Sequence, residues 1–366
     1  MDDKSKHTIT SKQLIWTVIS SMVGVGILSL PRVAAEHAQQ NGWLAVLLGA
    51  GFPFLGILLI YAVVSRYPSL TLAEYSEKIL GRFLGKMLAF IYAGYAILLA
   101  GSILNTLSFT LATIALPRTP LWVINWAVLL VSVNFARQGF KIIGRLNELF
   151  FYLLLPLLLM LFPVLGEIQM SHLLPLTGVP LKDILQGIQN TVFAYLGFEI
   201  LLVIFPFLQK KEEFFHGAFL GLGITIATYF YVTFLAIAFY GPGAIAKIVW
   251  PTVSLLNAVE VPVVERLEFF FIFLWSLVAF RTVGLQIFAS GYTISRVFKL
   301  ADHGIVVILL TPVIYFIAQY PKNLVQSFLF EVPISLLGGA IALGFPLLLL
   351  GVSLILGKKE EKKKSA

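Results

Sequence analysis

Apolar runs of roughly 20 residues recur along nearly the whole chain, and no other feature of the sequence constrains its fold as strongly. The hydrocarbon core of a bilayer is about 30 Å thick, so a spanning helix needs roughly 20 apolar residues. The sequence therefore predicts an all-α integral membrane protein with ten transmembrane helices. The predicted spans are 11–36, 43–65, 83–116, 120–137, 142–165, 184–208, 214–241, 264–295, 304–320 and 331–357.

Composition argues against a soluble chain. Charged residues form 12% of the sequence and apolar residues 59%, whereas soluble domains contain about 25% charged residues. The formal net charge of +8 comes from short basic clusters between the apolar runs. This distribution is typical of a topology signal and of attraction to an anionic lipid bilayer, not of nucleic-acid binding. We expect one transmembrane domain, 11–357, between an N-terminal segment, 1–10, and a basic tail, 358–366.

Lysine and arginine also predict the orientation. If the N-terminus lies in the cytoplasm, the cytoplasmic segments hold 19 of these residues and the outer segments hold 6. This excess follows the positive-inside rule and places both termini in the cytoplasm. The stretch 242–263 is interrupted by Gly-Pro-Gly and by two further prolines. We interpret it as an extramembrane loop with a short helix lying on the surface.

Two glycine-interrupted helices occupy corresponding positions in the two halves of the chain. The first span contains Gly24-Val25-Gly26, and the sixth contains Gly197 within Ala194–Glu199. With five helices in each half, the repeats 11–165 and 184–357 must be inverted relative to each other. Paired interruptions of this kind indicate a transporter-type site near the bilayer midplane. The sequence thus predicts a five-plus-five inverted repeat with helices 1 and 6 broken.

In the first span, the predicted ligand contacts are Gly24, Val25, Gly26 and Ile27. Each glycine lowers helix stability by about 1 kcal/mol relative to alanine, and an unwound backbone in lipid must face protein or a wet cavity. The freed amides, together with the start of a second helical half at Ile27, suit a carboxylate. The alternative is close helix packing through small residues.

In the sixth span, groups around the interruption are predicted to bind the amine of the ligand. A carboxylate at bilayer depth is costly and by default indicates function. Glu199 would pair with a ligand amine or with Arg281, or remain neutral with hydroxyl or carbonyl partners. The predicted contacts are Ala194, Tyr195, Leu196, Gly197 and Glu199.

Arg281, in the eighth span, and the polar face of the third span are the remaining candidates. Arg281 stays charged, because a guanidinium does not deprotonate in proteins. Two roles are predicted for it: it forms a buried pair or gate, or its side chain extends to the cytoplasmic surface. Tyr95 and Ser102 share a helical face with Asn105 and Thr106 and are predicted to close the pocket. Hydrogen bonding between helices is the alternative role for this face.

Signatures of enzymes are missing from the sequence. The five histidines lie without metal-ligand spacing, and no glycine-rich phosphate loop or nucleophile with a nearby base is visible. Cysteine is absent, which excludes thiolate metal sites. We therefore expect no catalytic residues, no metal and no cofactor.

Four stretches of the sequence resemble the spore germination permeases, the B subunits of germinant receptors. They keep the family's order, although Lys141 stands where the family commonly has an acidic residue and Gly144 where it has alanine. The resemblance covers about residues 8–357. The four stretches are Gly24–Pro31, Ala136–Arg145 followed by Glu148, Gly197–Leu201 with Phe205-Pro206, and Glu265–Phe270 with Trp275.

This resemblance implies the LeuT-type fold of the amino acid–polyamine–organocation superfamily. It also implies a subunit that senses a small-molecule nutrient, often an amino acid, beside A-type and C-type receptor subunits in the cell or spore inner membrane. A proton-coupled amino acid permease, with Glu199 as its coupling residue, is the first alternative. A ligand-gated ion or water pathway is the second.

Overall fold

The computed structural model describes residues 8–258 and 267–360, and these residues fold almost entirely into helices. The α-helices are α1 (Ser11–Met22), α2 (Gly26–Ala38), α3 (Gly42–Gly49), α4 (Gly51–Val64), α5 (Leu72–Leu80), α6 (Arg82–Ile114), α7 (Leu121–Ala136), α8 (Phe140–Phe151), α9 (Leu154–Leu159), α10 (Leu181–Tyr195), α11 (Leu201–Ile204), α12 (Phe214–Tyr240), α13 (Pro242–Ile245), α14 (Pro251–Ala258), α15 (Leu267–Val297), α16 (His303–Ala318), α17 (Leu324–Gly339) and α18 (Phe345–Ile355).

Every predicted span coincides with helix in the described residues. Span 1 is α1 and α2, span 2 is α3 and α4, span 5 is α8 and α9, span 6 is α10 and α11, and span 10 is α17 and α18; the others are single helices. By length and composition, six helical runs are able to cross a membrane, and the bent pair of span 6 is a seventh. The helices α7 and α16 are shorter, at 16 residues each. The predicted all-helical membrane fold is confirmed.

One predicted boundary is wrong, one helix was not predicted, and two predicted segments lie partly outside the described residues. Span 10 begins at Leu324 and not at 331, since Asn323 caps the helix by accepting a hydrogen bond from the amide of Gln326. An amphipathic helix, α5, between spans 2 and 3 was not predicted. The start of span 8 at 264–266 and the tail beyond Glu360 lie outside the described residues.

The short helix α14 does not lie on the surface, so that prediction was wrong. Its residues Thr252, Val253 and Leu255 are buried. The Thr252 hydroxyl donates a hydrogen bond of 2.8 Å to the Ile27 carbonyl, which anchors α14 against α2. Hydropathy alone missed this contact because prolines interrupt the stretch without preventing it from packing.

The helical bundle has two ends, which we name by the residues they hold. We call the end that holds Thr10, Leu208 and Lys358 the basal end, and the end that holds Ala38, Pro175 and Gly241 the apical end. At the basal end, the strand-like residues Ile9 and Leu208 form a parallel β-bridge.

Two hydrogen bonds beside this bridge and one salt bridge hold the basal half of span 1. The Ile9 amide donates to the Phe207 carbonyl at 2.8 Å, and the Gln209 amide donates to the Ile9 carbonyl at 2.9 Å. Lys12 of α1 and Glu148 of α8 form a salt bridge of 2.8 Å. These links join the basal half of span 1 to span 5 and to the basal half of span 6.

Candidate functional site

Span 1 breaks between Met22 and Gly26. Val23 is extended, with φ −76° and ψ 92°, so the helix ends there and restarts three residues later. Side chains of distant helices satisfy the carbonyls that the break leaves free. The Tyr229 hydroxyl donates to the Met22 carbonyl at 2.7 Å, and the Thr282 hydroxyl donates to the Ser20 carbonyl at 2.9 Å.

Span 6 breaks at Leu196 and Gly197, where its two halves meet at 50°. Gly197 has φ +119°, a conformation that favours glycine. A methyl group at this position would lie 1.9 Å from the Ser21 carbonyl oxygen. The broken backbone of span 6 therefore packs directly against span 1, and glycine is required for the contact.

Glu199 fills the break in span 6 with the chain's own carboxylate. Its side chain is fully buried. The Tyr95 hydroxyl donates to Oε1 at 2.7 Å, and the Gly197 amide donates to Oε2 at 2.7 Å. The hypothesis that Glu199 pairs with Arg281 was wrong, because Arg281 has other partners.

Arg281 is buried, with 1% of its surface exposed. It donates to the Ser20 hydroxyl at 2.7 Å and to the Asn147 carbonyl at 3.2 Å, and its guanidinium lies 5.6 Å from the Phe150 ring centroid. The hypothesis that it extends to the surface was wrong, since these dipoles and the aromatic ring hold it inside. Arg281 thus ties α1 to α8 and α15.

The polar face of span 3 points towards other helices. Asn105 donates to the Ala318 carbonyl at 2.6 Å and accepts from the Ser327 hydroxyl at 2.6 Å. Thr106 donates to Glu331 at 2.8 Å. Ser102 is buried. This face binds span 10 to span 3, as the interhelical alternative predicts.

A cavity of about 670 Å³ lies beside the two breaks, between α2, α10 and α17. Gly26, on α2, and Ala194, on α10, line it and are neighbours, since a methyl group on Gly26 would lie 2.9 Å from the Ala194 Cα. Both were predicted as ligand contacts. The predicted contacts that do not line this cavity are Gly24, Val25, Ile27, Tyr95, Ser102, Tyr195, Leu196, Gly197, Glu199 and Arg281.

Several polar residues line the cavity that sequence reasoning did not select. The positive-inside count includes Arg32 among the six outer charges, and the predicted span 10 begins at Glu331. Both lie inside helices, on α2 and α17. Ser327 and Glu331 lie one helical turn apart, and this polar spacing was the sequence signal that could have identified Glu331 as a lining residue. The polar lining consists of Ser29, Arg32, Glu36, Gln189, Asn190, Glu331 and Ser335.

The described part of the chain contains no group of three or more histidine, aspartate or glutamate residues able to hold a metal ion. The cavity instead combines one guanidinium, two carboxylates and amide groups with apolar walls formed by Phe52, Phe193 and Leu343. This lining suits a small organic molecule with charged and apolar parts.

The fold is that of the LeuT-type transporters. MhsT, solved in complex with L-phenylalanine, matches with a TM-score of 0.67 at 16% sequence identity, covering 95% of this chain and 89% of MhsT. Mhp1, a nucleobase-cation-symport-1 family transporter, matches with a TM-score of 0.71 at 13% identity, covering 96% of this chain and 79% of Mhp1.

Sequence comparison identifies the family within this fold. The family described as spore germination protein matches residues 8–327. Spore germination protein YndE of Bacillus subtilis is 28% identical over 94% of this chain and 96% of its own length. Spore germination protein B2 of the same species is 27% identical over 89% of this chain and 90% of its own length. The chain belongs to the spore germination permease family, whose members are membrane subunits of germination receptors and not enzymes.

Proposed function

We propose that this chain is the nutrient-sensing B subunit of a germinant receptor and that a small nutrient, an amino acid, binds in the cavity between α2, α10 and α17. The observation that carries the proposal is the position of this cavity. It touches Gly26, where the second half of span 1 begins, and Ala194, directly before the break in span 6. MhsT, which shares the fold, was solved with an amino acid.

A ligand in this cavity contacts three separate helical halves. The α2 half of span 1, the α10 half of span 6 and the α17 half of span 10 each end or bend at its level. Binding shifts a conformational equilibrium only if the affinity differs between the two states. Contacts to three helical halves supply that difference, because any relative movement of the halves changes the cavity.

In the proposed sensor, the basal end stays closed when the nutrient binds. The basal halves of spans 1 and 6 are joined at Ile9, and α1 is further held by the bonds of Arg281 and by a bond of 3.2 Å from Asn147 to Thr17. A permease must open this end during each turnover, which would break these bonds together. A sensor needs only the apical halves to move.

The remaining features of the proposal come from the family and from the charge distribution. The family implies a receptor complex, and we propose A-type and C-type subunits as the partners. We also propose that the basal end faces the cytoplasm, because the predicted cytoplasmic segments carry the lysine and arginine excess.

The test is a thermal-shift screen of the purified protein in detergent against amino acids, sugars and nucleosides, followed by flux assays in liposomes. We expect a nutrient to raise the unfolding temperature without being concentrated inside the liposomes. Concentrative uptake would support the proton-coupled permease, and ion or water leak on ligand addition would support the gated pathway. No shift with any nutrient would contradict binding by this subunit.

A further inference from the structure

Arg32 and Glu331 are side chains of opposite charge that line the cavity from two different helices. Arg32 lies on α2, and its guanidinium stacks 4.3 Å above the ring centroid of Phe328 on α17. Phe328 and Glu331 are three residues apart on the same helix, so their side chains are neighbours roughly 5–6 Å apart at Cβ. The cation is therefore held about one helical turn from the carboxylate.

Neither charge is fully used by the protein. In the described residues, Arg32 forms no hydrogen bond or ion pair, and its buried Nε has no partner. Glu331 is 9% exposed, and only its Oε1 is engaged, by the Thr106 hydroxyl at 2.8 Å. Arg32 is partly buried and stacks on Phe328, and Glu331 has one carboxylate oxygen that accepts no hydrogen bond, so both groups retain hydrogen-bonding capacity for a ligand.

Glu331 is also held in place more firmly than the other acid of the cavity. Thr106 fixes the carboxylate, and one turn earlier Ser327 donates to Asn105 of the same neighbouring helix at 2.6 Å. Glu36, four residues after Arg32, is exposed at the rim. Water screens an exposed carboxylate, so Glu36 contributes less to binding.

We infer that Arg32 and Glu331 are the anchors of an α-amino acid with an apolar side chain, with Arg32 binding its carboxylate and Glu331 its ammonium group. A zwitterion satisfies both charges without adding net charge to the cavity. The apolar walls at Phe52, Phe193 and Leu343 receive its side chain. This inference rests on the proposed function, since it names the ligand class of the same cavity.

The test measures binding of L-leucine, N-acetyl-L-leucine, L-leucinamide and L-serine to the purified full-length protein by calorimetry. We expect L-leucine to bind and each blocked derivative to bind on the order of 10- to 100-fold more weakly, because each loses one charged hydrogen-bonding group. L-Serine should bind more weakly than L-leucine, since it leaves the apolar walls without contacts.

Variants assign each charge to its partner. In Glu331→Gln, we expect the penalty for acetylating the amine to shrink to a few-fold or less, while the penalty for amidating the carboxylate remains; Arg32→Gln should show the reverse pattern. Glu36→Gln is the matched control, a carboxylate of the same cavity, and should keep both penalties. Unchanged unfolding temperatures without ligand show that the variants are folded.

Other outcomes separate this inference from the proposed function. If D-glucose or inosine binds and L-leucine does not, the amino acid assignment is overturned while nutrient sensing stands. If L-leucine binds with equal penalties in wild type and both variants, the two anchors are overturned. If no probe binds, the ligand class is overturned. If no nutrient in the wider thermal-shift screen changes the unfolding temperature, the proposed function is overturned as well.

Discussion

Replacing Gly197 by alanine tests the direct contact between the two broken spans. The added methyl group would lie 1.9 Å from the Ser21 carbonyl oxygen, at a residue with φ +119°. A left-handed conformation costs a residue with a side chain about 1–2 kcal/mol, and overpacking costs about 1–3 kcal/mol more. We expect a total loss of roughly 2–5 kcal/mol.

Gly94→Ala is the matched control. Gly94 lies within α6, and no heavy atom would lie within 4 Å of an added methyl group. Alanine stabilises a helix interior by about 1 kcal/mol relative to glycine, so this variant should be neutral or slightly more stable. Thermal unfolding in detergent should place Gly197→Ala roughly 4–10 °C below the control. Equal unfolding temperatures would refute the contact.

Three further predictions concern the breaks and the cavity. In a double-mutant cycle, Tyr95→Phe and Glu199→Gln should show a coupling energy of about 1–3 kcal/mol in unfolding, whereas a coupling of zero would contradict their hydrogen bond. Gly26→Leu should abolish the nutrient-dependent thermal shift, while Gly94→Leu should retain it; a retained shift in both would remove Gly26 from the site. Arg281→Gln should lower the unfolding temperature without weakening nutrient affinity measured by calorimetry, and a loss of affinity alone would place Arg281 in the binding site instead.

The sequence predicted the spans and the two breaks because both are local properties. The length of an apolar run matches the length of helix needed to cross the bilayer, and the glycines of spans 1 and 6 mark the positions where helix stability is lowest. The identity of the groups that satisfy each break was not local. Tyr229 and Thr282 reach the carbonyls of span 1 from spans 7 and 8, more than 200 residues away in the chain, and no periodicity reports such a pairing.

The cavity was only partly predictable for the same reason. Gly26 and Ala194 adjoin the breaks and were selected from the sequence. Arg32 and Glu331 meet only because α2 and α17 pack against one cavity, and each residue by itself has an ordinary interpretation as a charge near the end of a span. Glu199 illustrates the opposite case, since an intramembrane carboxylate that suggests a ligand contact is occupied by Tyr95 and Gly197.

Cysteine labelling tests the location of the nutrient site most directly, because the chain contains no cysteine of its own. Ser29→Cys and Ser335→Cys place thiols in the cavity, whereas Ser102→Cys places one at a buried position that does not line it. The first two should react with a small polar thiol reagent added to the purified protein, and the nutrient found in the screen should slow their reaction. Ser102→Cys should react slowly with or without the nutrient. Protection of Ser102→Cys, with the two cavity positions reacting equally fast in both conditions, would contradict a nutrient site between α2, α10 and α17.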